Sequence, residues 1–156
     1  MLNSVPRDPT DERVSSRLVG VWTLVAYTEE KEGCKDTNPL GAKPVGFLMY
    51  TPDGFVSAQL MKPGRPAFQS LDWHKGTPEE YVQSGSGYIA YCGTYEVYEA
   101  NRTVTHIPSV ALLPNLIHKR QLRAIELDGD RLTLRTSSVA DTHSVVVMSR
   151  LEWHRA

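Results

Sequence analysis

The sequence predicts an all-β chain: one antiparallel up-and-down β-barrel of about eight strands, with a short N-terminal helix and a short helix in a lid loop. Three observations predict it. Apolar and polar residues alternate with a period of two over much of the chain, as side chains do along a strand. Asp-Gly pairs at Asp53-Gly54 and Asp128-Gly129 sit between alternating runs at hairpin spacing. The 156 residues suffice for one cored domain and not for two. A meander of that length buries most apolar surface by closing on itself, which also removes both open edges.

The elements follow in order. Residues 1–17 are a tail and a short helix, and residues 18–156 are the barrel domain. Asp8 or Thr10 can cap the helix, with Asp11 and Glu12 favourable in its first turn. The first strand runs from Gly20 to Lys31; Gly20 permits a sharp entry, and Trp22 sets a large apolar ring just inside. Trp22, Leu24 and Ala26 share one face of it, Val21, Val25 and Tyr27 the other. Glu32 to Val45 reads as a loop that can fold over the barrel mouth. Thr51-Pro52-Asp53-Gly54 then joins two alternating runs by a type I turn, with or without a bulge. Pro63-Gly64-Arg65-Pro66 breaks the second run. Thr77-Pro78-Glu79-Glu80 starts a helix with a capping residue, a first-turn proline and a glutamate three positions on. That helix and the irregular segment before it are expected to cover one opening. Further strands span Tyr88–Glu99, Thr103–Leu113, Gln121–Leu127, Arg131–Thr136 and Ser144–Trp153, the last able to pair with the first.

Composition narrows the function. A net charge of -1 offers no electrostatic case for nucleic acid or an anionic membrane. No apolar run approaches the roughly 18 residues that a spanning helix needs. The N-terminal stretch is polar and lacks the apolar core of a secretory signal, so Cys34 and Cys92 read as free thiols and the chain as cytoplasmic. His74, His118, His143 and His154 are scattered without metal-ligand spacing, and no Cys/His cluster forms a zinc site. Phosphate-cradling glycine loops and the strained serine turn of hydrolases are absent, so the expectation is no metal and no cofactor.

The hairpin turns assign the inward faces. If Tyr50 faces Phe55 across the first turn, Leu48, Tyr50, Phe55, Ser57, Gln59 and Met61 point inward together. Val97 opposite Val104 turns Ile89, Tyr91, Gly93, Tyr95, His106, Pro108 and Val110 inward. Leu127 opposite Leu132 does the same for Gln121, Arg123, Ile125 and Leu134. The interior is then apolar and aromatic with sparse polar groups, the composition of a small-molecule pocket. His106 is either a hydrogen-bonded core histidine or a proton carrier, and Tyr91 either wall or acid. Arg123 is costly to bury alone; it meets Glu96 or Glu126, faces solvent, or binds a ligand oxygen. The catalytic candidates are therefore His106, Arg123 and Tyr91. The ligand-binding candidates are Tyr50, Ser57, Gln59, Met61, Leu48, Phe55, Trp73 and Tyr95.

The strings LVGVWTLV, PVGFLMYTPDGFVSAQLM, KPGRPAF, GYIAYCGTYEV, TVTHIPSV, ELDGDRLTL and the closing LEW together resemble the lipocalin-like domain family of small bacterial and fungal proteins. The resemblance runs from Leu18 to Trp153 and implies a lipocalin-like barrel whose narrow end is plugged by Trp22. Trp73-His74-Lys75 and Leu116-Ile117-His118 fall outside it, and substrate-specific contacts are expected there. Some fungal barrels of this kind resemble cofactor-free cyclases of secondary metabolism, pericyclases included. The resemblance thus implies, first, a cyclase or isomerase acting on an apolar polyketide- or terpenoid-derived molecule. Its alternative is a non-catalytic carrier of a lipophilic small molecule. A homodimer is compatible with either.

Overall fold

The computed structural model describes residues 12–139 and 146–156. Eight strands form a closed antiparallel barrel in simple sequence order: β1 Gly20–Lys31, β2 Val45–Tyr50, β3 Phe55–Met61, β4 Tyr88–Tyr98, β5 Thr103–Ala111, β6 Gln121–Asp128, β7 Arg131–Val139 and β8 Val146–Arg155. β8 pairs with β1 to close it, from Trp22 opposite Arg155 to Lys31 opposite Val147. Helix α1 is Val14–Leu18 and α2 is Pro78–Ser86. The predicted caps at Asp8 and Thr10 lie outside the described residues.

Trp22 floors the barrel. Its ring is fully buried, its indole N–H donates to the Leu18 carbonyl at 2.8 Å, and the Arg155 guanidinium lies 4.0 Å over its face. Arg155 also donates to the carbonyls of Arg17 and Val19, the last residues of α1 and its exit. At the other end of α1, the Glu99 carboxylate accepts from the Val14 and Ser15 amides. A five-residue helix is unstable alone; here both ends are tied to the barrel. Gly20 leaves room for this arrangement, since a Cβ there would stand 2.7 Å from Arg155 Nη1.

Three irregularities decide which residues face in. The first hairpin pairs Tyr50 with Val56, not Phe55, because Gly54 adopts φ +93° and adds one residue to the turn. Val56, Ala58 and Leu60 therefore face the core, while Phe55, Ser57, Gln59 and Met61 face outward, which corrects the sequence expectation for all four. A shift in β1 between Leu24 and Ala26 turns Tyr27 and Glu29 to the interior in place of Ala26. A third shift leaves Ser109 unpaired between Gly93–Pro108 and Cys92–Val110, so Val110 points out, again against expectation. Elsewhere the inward faces agree: Leu48 and Tyr50, Tyr91 and Gly93, His106 and Pro108, Ile125, Leu132 and Leu134 are all buried.

The predicted capping box of α2 is present, with Thr77 and Glu80 exchanging hydrogen bonds. The helix buries no side chain, however, and no residue from 62 to 87 lines the interior cavity. The segment therefore adds nothing to the cavity wall. Among the described residues, no helix is long and apolar enough to cross a membrane.

Gly93 tests the packing of β4 on β5. A Cβ at Gly93 would come within 2.0 Å of the Ile107 carbonyl and 2.8 Å of the Pro108 Cα, both backbone atoms that cannot swing aside. Gly93→Ala should cost about 3 kcal/mol or more in urea unfolding. Gly85→Ala, at a position with nothing within 4 Å, should be neutral or stabilising by about 0.5–1 kcal/mol.

Candidate functional site

A cavity of about 440 Å³ occupies the barrel above the Trp22 floor. For scale, about 150 Å³ holds a benzene ring. Its apolar wall comes from Leu48, Leu60, Ile89, Leu134, Leu151 and Trp153. Leu112, Leu113 and Leu116, which follow β5 and lead through a 3-10 turn at Pro114–Leu116, also line it.

One side of the wall is polar. His106 is wholly buried on β5, and each ring nitrogen meets a tyrosine: Nε2 lies 2.7 Å from the Tyr50 hydroxyl and Nδ1 2.8 Å from the Tyr91 hydroxyl. Arg123, half-buried on β6, directs Nε at His106 Nδ1 and Nη2 at the Tyr91 oxygen, both at 3.3 Å. Burial holds the His106 imidazole well below its ordinary range, and the positive charge of Arg123 lowers it further. The ring is therefore neutral and carries one proton.

Hydrogen bonds at both ring nitrogens constrain where that proton sits. Tyr50 is fully buried, and His106 Nε2 is the partner its hydroxyl reaches. If Nε2 carried the hydrogen, the Tyr50 proton would have no acceptor, a cost of about 1–3 kcal/mol. A proton on Nδ1 would let Tyr50 donate to Nε2 but would oppose the Arg123 Nε–H aimed at Nδ1, whereas a proton on Nε2 leaves Nδ1 to accept from Arg123 and Tyr91. In either case the Tyr91 oxygen accepts from Arg123 Nη2 and lies in the cavity wall. Tyr50 serves as anchor, with its hydroxyl raised well above the ordinary tyrosine value by burial first and by Tyr91 next.

A second polar group faces the cavity from β1. Tyr27 donates to Glu29 Oε1 at 2.6 Å, with Ser149 of β8 beside them. Burial and the Glu29 contact raise the Tyr27 hydroxyl well above its usual value, so it remains a donor. Among the described residues, no group of His, Cys, Asp and Glu side chains could hold a metal ion.

The sequence matches the lipocalin-like domain family over residues 19–156. The chain belongs to the lipocalin-like domain family. It is also 30% identical over 106 residues to a 4'-hydroxy-3'-methoxypropiophenone carrier protein of Aspergillus oryzae, covering 64% of this chain and 96% of that protein. No solved structure matches it significantly.

Within this lipocalin-like barrel the predicted site residues divide. His106, Arg123, Tyr91, Tyr50 and Leu48 come together at or beside the cavity. Tyr95 faces inward but lies below it, packed edge-to-face on Tyr50 at 4.8 Å and donating to the Thr51 carbonyl. Ser57, Gln59, Met61 and Phe55 lie on the outer face; Gln59 accepts from Tyr88 there, and Met61 sulfur meets Arg65. Trp73 sits 74% exposed on a loop, stacked on His74, and takes no part in the wall. The carboxylates offered to Arg123 go elsewhere: Glu96 pairs with Arg120 and Glu126 with Arg135. Sequence reasoning missed Tyr27, Glu29, Thr136 and Ser149, and nothing in the local pattern marks the strand shift that brings the first two in.

The neutral His106 has a consequence for stability. Its folded value is depressed, so below its unfolded value of about 6.5 the unfolded chain takes a proton that the folded chain refuses. Stability should fall as pH drops through that value, with a limiting slope of about 1.4 kcal/mol per pH unit. His106→Gln should remove this slope between pH 7 and 5 in urea-unfolding series. An unchanged slope would mean that the histidine is protonated in the fold. The lowered carboxylates Asp72, Glu80, Glu96 and Glu99 act only at lower pH, near and below 4.5.

Proposed function

We propose that this lipocalin-like barrel binds one small, largely apolar molecule bearing an oxygen acceptor, and carries it without changing it. The observation that carries the reading is the cavity of about 440 Å³, whose apolar wall is interrupted on one side by convergent donors from Arg123 and Tyr91. The Aspergillus oryzae relative, named for carrying an aryl ketone, supports the same reading. The sequence alone puts a cyclase or isomerase first and a carrier second; the relative's name supports putting the carrier first. We place the protein in the cytoplasm, where the exposed free thiols of Cys34 and Cys92 suit a reducing compartment.

A second reading keeps the cofactor-free cyclase or isomerase acting on a polyketide- or terpenoid-derived molecule. The observation favouring it is the ordered chain from Tyr50 through His106 to Tyr91, flanked by Arg123. Such a chain can polarise a carbonyl oxygen as electron density moves onto it.

Calorimetric titration with 4'-hydroxy-3'-methoxypropiophenone, and with any compound extracted from the purified protein, tests both. Saturable one-site binding is expected, with each compound recovered unchanged by mass spectrometry. Thr136→Trp, which places an indole in the cavity, should weaken binding at least about tenfold, or 1.4 kcal/mol. Lack of saturable binding by any of these compounds would sink the carrier reading. Conversion to an isomer that is lost in Tyr91→Phe would establish the enzyme instead.

A further inference from the structure

We infer that the ligand brings an acidic oxygen, a phenol or an enolisable 1,3-dicarbonyl, and is held as its oxyanion between the Arg123 guanidinium and the Tyr91 hydroxyl. This deepens the binding reading above and rests on it.

The argument starts from an imbalance of charge. Arginine is always protonated in a protein, and a half-buried guanidinium ordinarily finds a carboxylate. Arg123 has no ion-pair partner among the described residues. Its two contacts go to neutral groups, His106 Nδ1 and the Tyr91 hydroxyl, and at 3.3 Å both are long for N–H donors. His106 Nδ1 is also shared with the Tyr91 hydroxyl at 2.8 Å, so it is a divided acceptor toward Arg123. The cavity therefore contains a cation whose donors are underused, next to the Tyr91 hydroxyl in the same wall. A bidentate oxygen acceptor answers both, and an anionic one does so with roughly twice the strength of a neutral one.

The groups that face Arg123 agree with this. From β4 comes Tyr91 and from β5 the neutral His106, while β1 supplies Tyr27 and Glu29. β7 contributes Leu134 and Thr136, and β8 contributes Ser149, none of which titrates. Glu29 is the single carboxylate in the lining, is already engaged by the Tyr27 hydroxyl at 2.6 Å, and makes no ion pair with Arg123. Its charge repels an oxyanion, so the ligand is oriented with its acidic end at Arg123 and its apolar body against Leu48, Leu60 and Ile89. On binding, the ligand's proton leaves to bulk water, since the buried histidine does not accept it.

The test uses 4-nitrophenol, whose phenolate absorbs at longer wavelength than the phenol, so its ionisation is read directly. Bound to the wild-type protein, the phenol should have an ionisation constant at least about tenfold larger than in free solution, as a cation within a few ångströms produces. Arg123→Lys should keep part of that increase. Arg123→Met should bind the phenol with an ionisation constant at or below the free value, with thermal melts showing the variant folded. A wild-type complex in which the bound phenol ionises no more readily than free would overturn the inference and leave the binding reading standing. If neither 4-nitrophenol nor any ketone binds saturably, the binding reading falls and this one with it.

Discussion

The seam between β1 and β8 is what makes this chain a vessel. A sheet of this order left open would expose two edges, and its inner face would have nothing to pack on. Closure puts Leu24, Leu132 and Trp153 against each other and brings Arg155, the last residue of β8, over Trp22. That stack contributes on the order of 1–2 kcal/mol by itself. Its larger effect is connective: the same guanidinium binds the last carbonyls of α1, so the floor, the helix and the seam form one unit. Because the bottom is filled by an indole, the empty volume is pushed to the other end, where the strands carry smaller or polar residues such as Ala58, Thr136 and Ser149.

Local departures from regular pairing then decide what that volume contains. Without the shift after Leu24, the β1 residues facing in would be Ala26 and Thr28; with it they are Tyr27 and Glu29. Without the extra residue at Ser109, β5 could not place Pro108 against the backbone of Gly93 while turning Val110 out. The polar cluster sits next to this irregularity. Gly93 and Pro108, two residues from Tyr91 and His106 respectively, let β4 and β5 approach closely, and the two side chains meet at 2.8 Å across them. A change at Gly93 would therefore disturb the site as well as the fold.

Much of the architecture was legible because it depends on periodicity and turn chemistry. Strand β1 and the capping box at Thr77 came out at the expected places. The inward faces of β4, β6 and β7 followed from Val97, Leu127 and Leu132 flanking short turns. His106, Arg123 and Tyr91 were legible for the same reason. What failed was parity. A single added residue at Gly54 reverses the whole of β3, so Phe55, Ser57, Gln59 and Met61 moved outward as a set. Exposed Trp73 misled for a different reason: a large aromatic in a loop has the composition of a lid, but its position depends on where the loop packs, and that is a long-range contact with no local signature.

The electrostatics of the site also bear on whether it moves protons. A general base works best when its pKa lies near the working pH, because both its free form and its driving force are then useful. His106 is displaced far from that condition by burial and by Arg123, and its two nitrogens are occupied by Tyr50 and Tyr91. It is available as a free base in population but weak in driving force. The ring is better suited to hold two hydroxyls in fixed directions. A neutral imidazole between tyrosines orients the Tyr91 donor without adding a second charge beside Arg123, where an imidazolium would repel the guanidinium in a low-dielectric wall. A site built this way is arranged to meet an oxygen acceptor with preset donors. Any chemistry it supports would come from the polarisation of that oxygen, with the histidine acting through Tyr91 as a positioning residue.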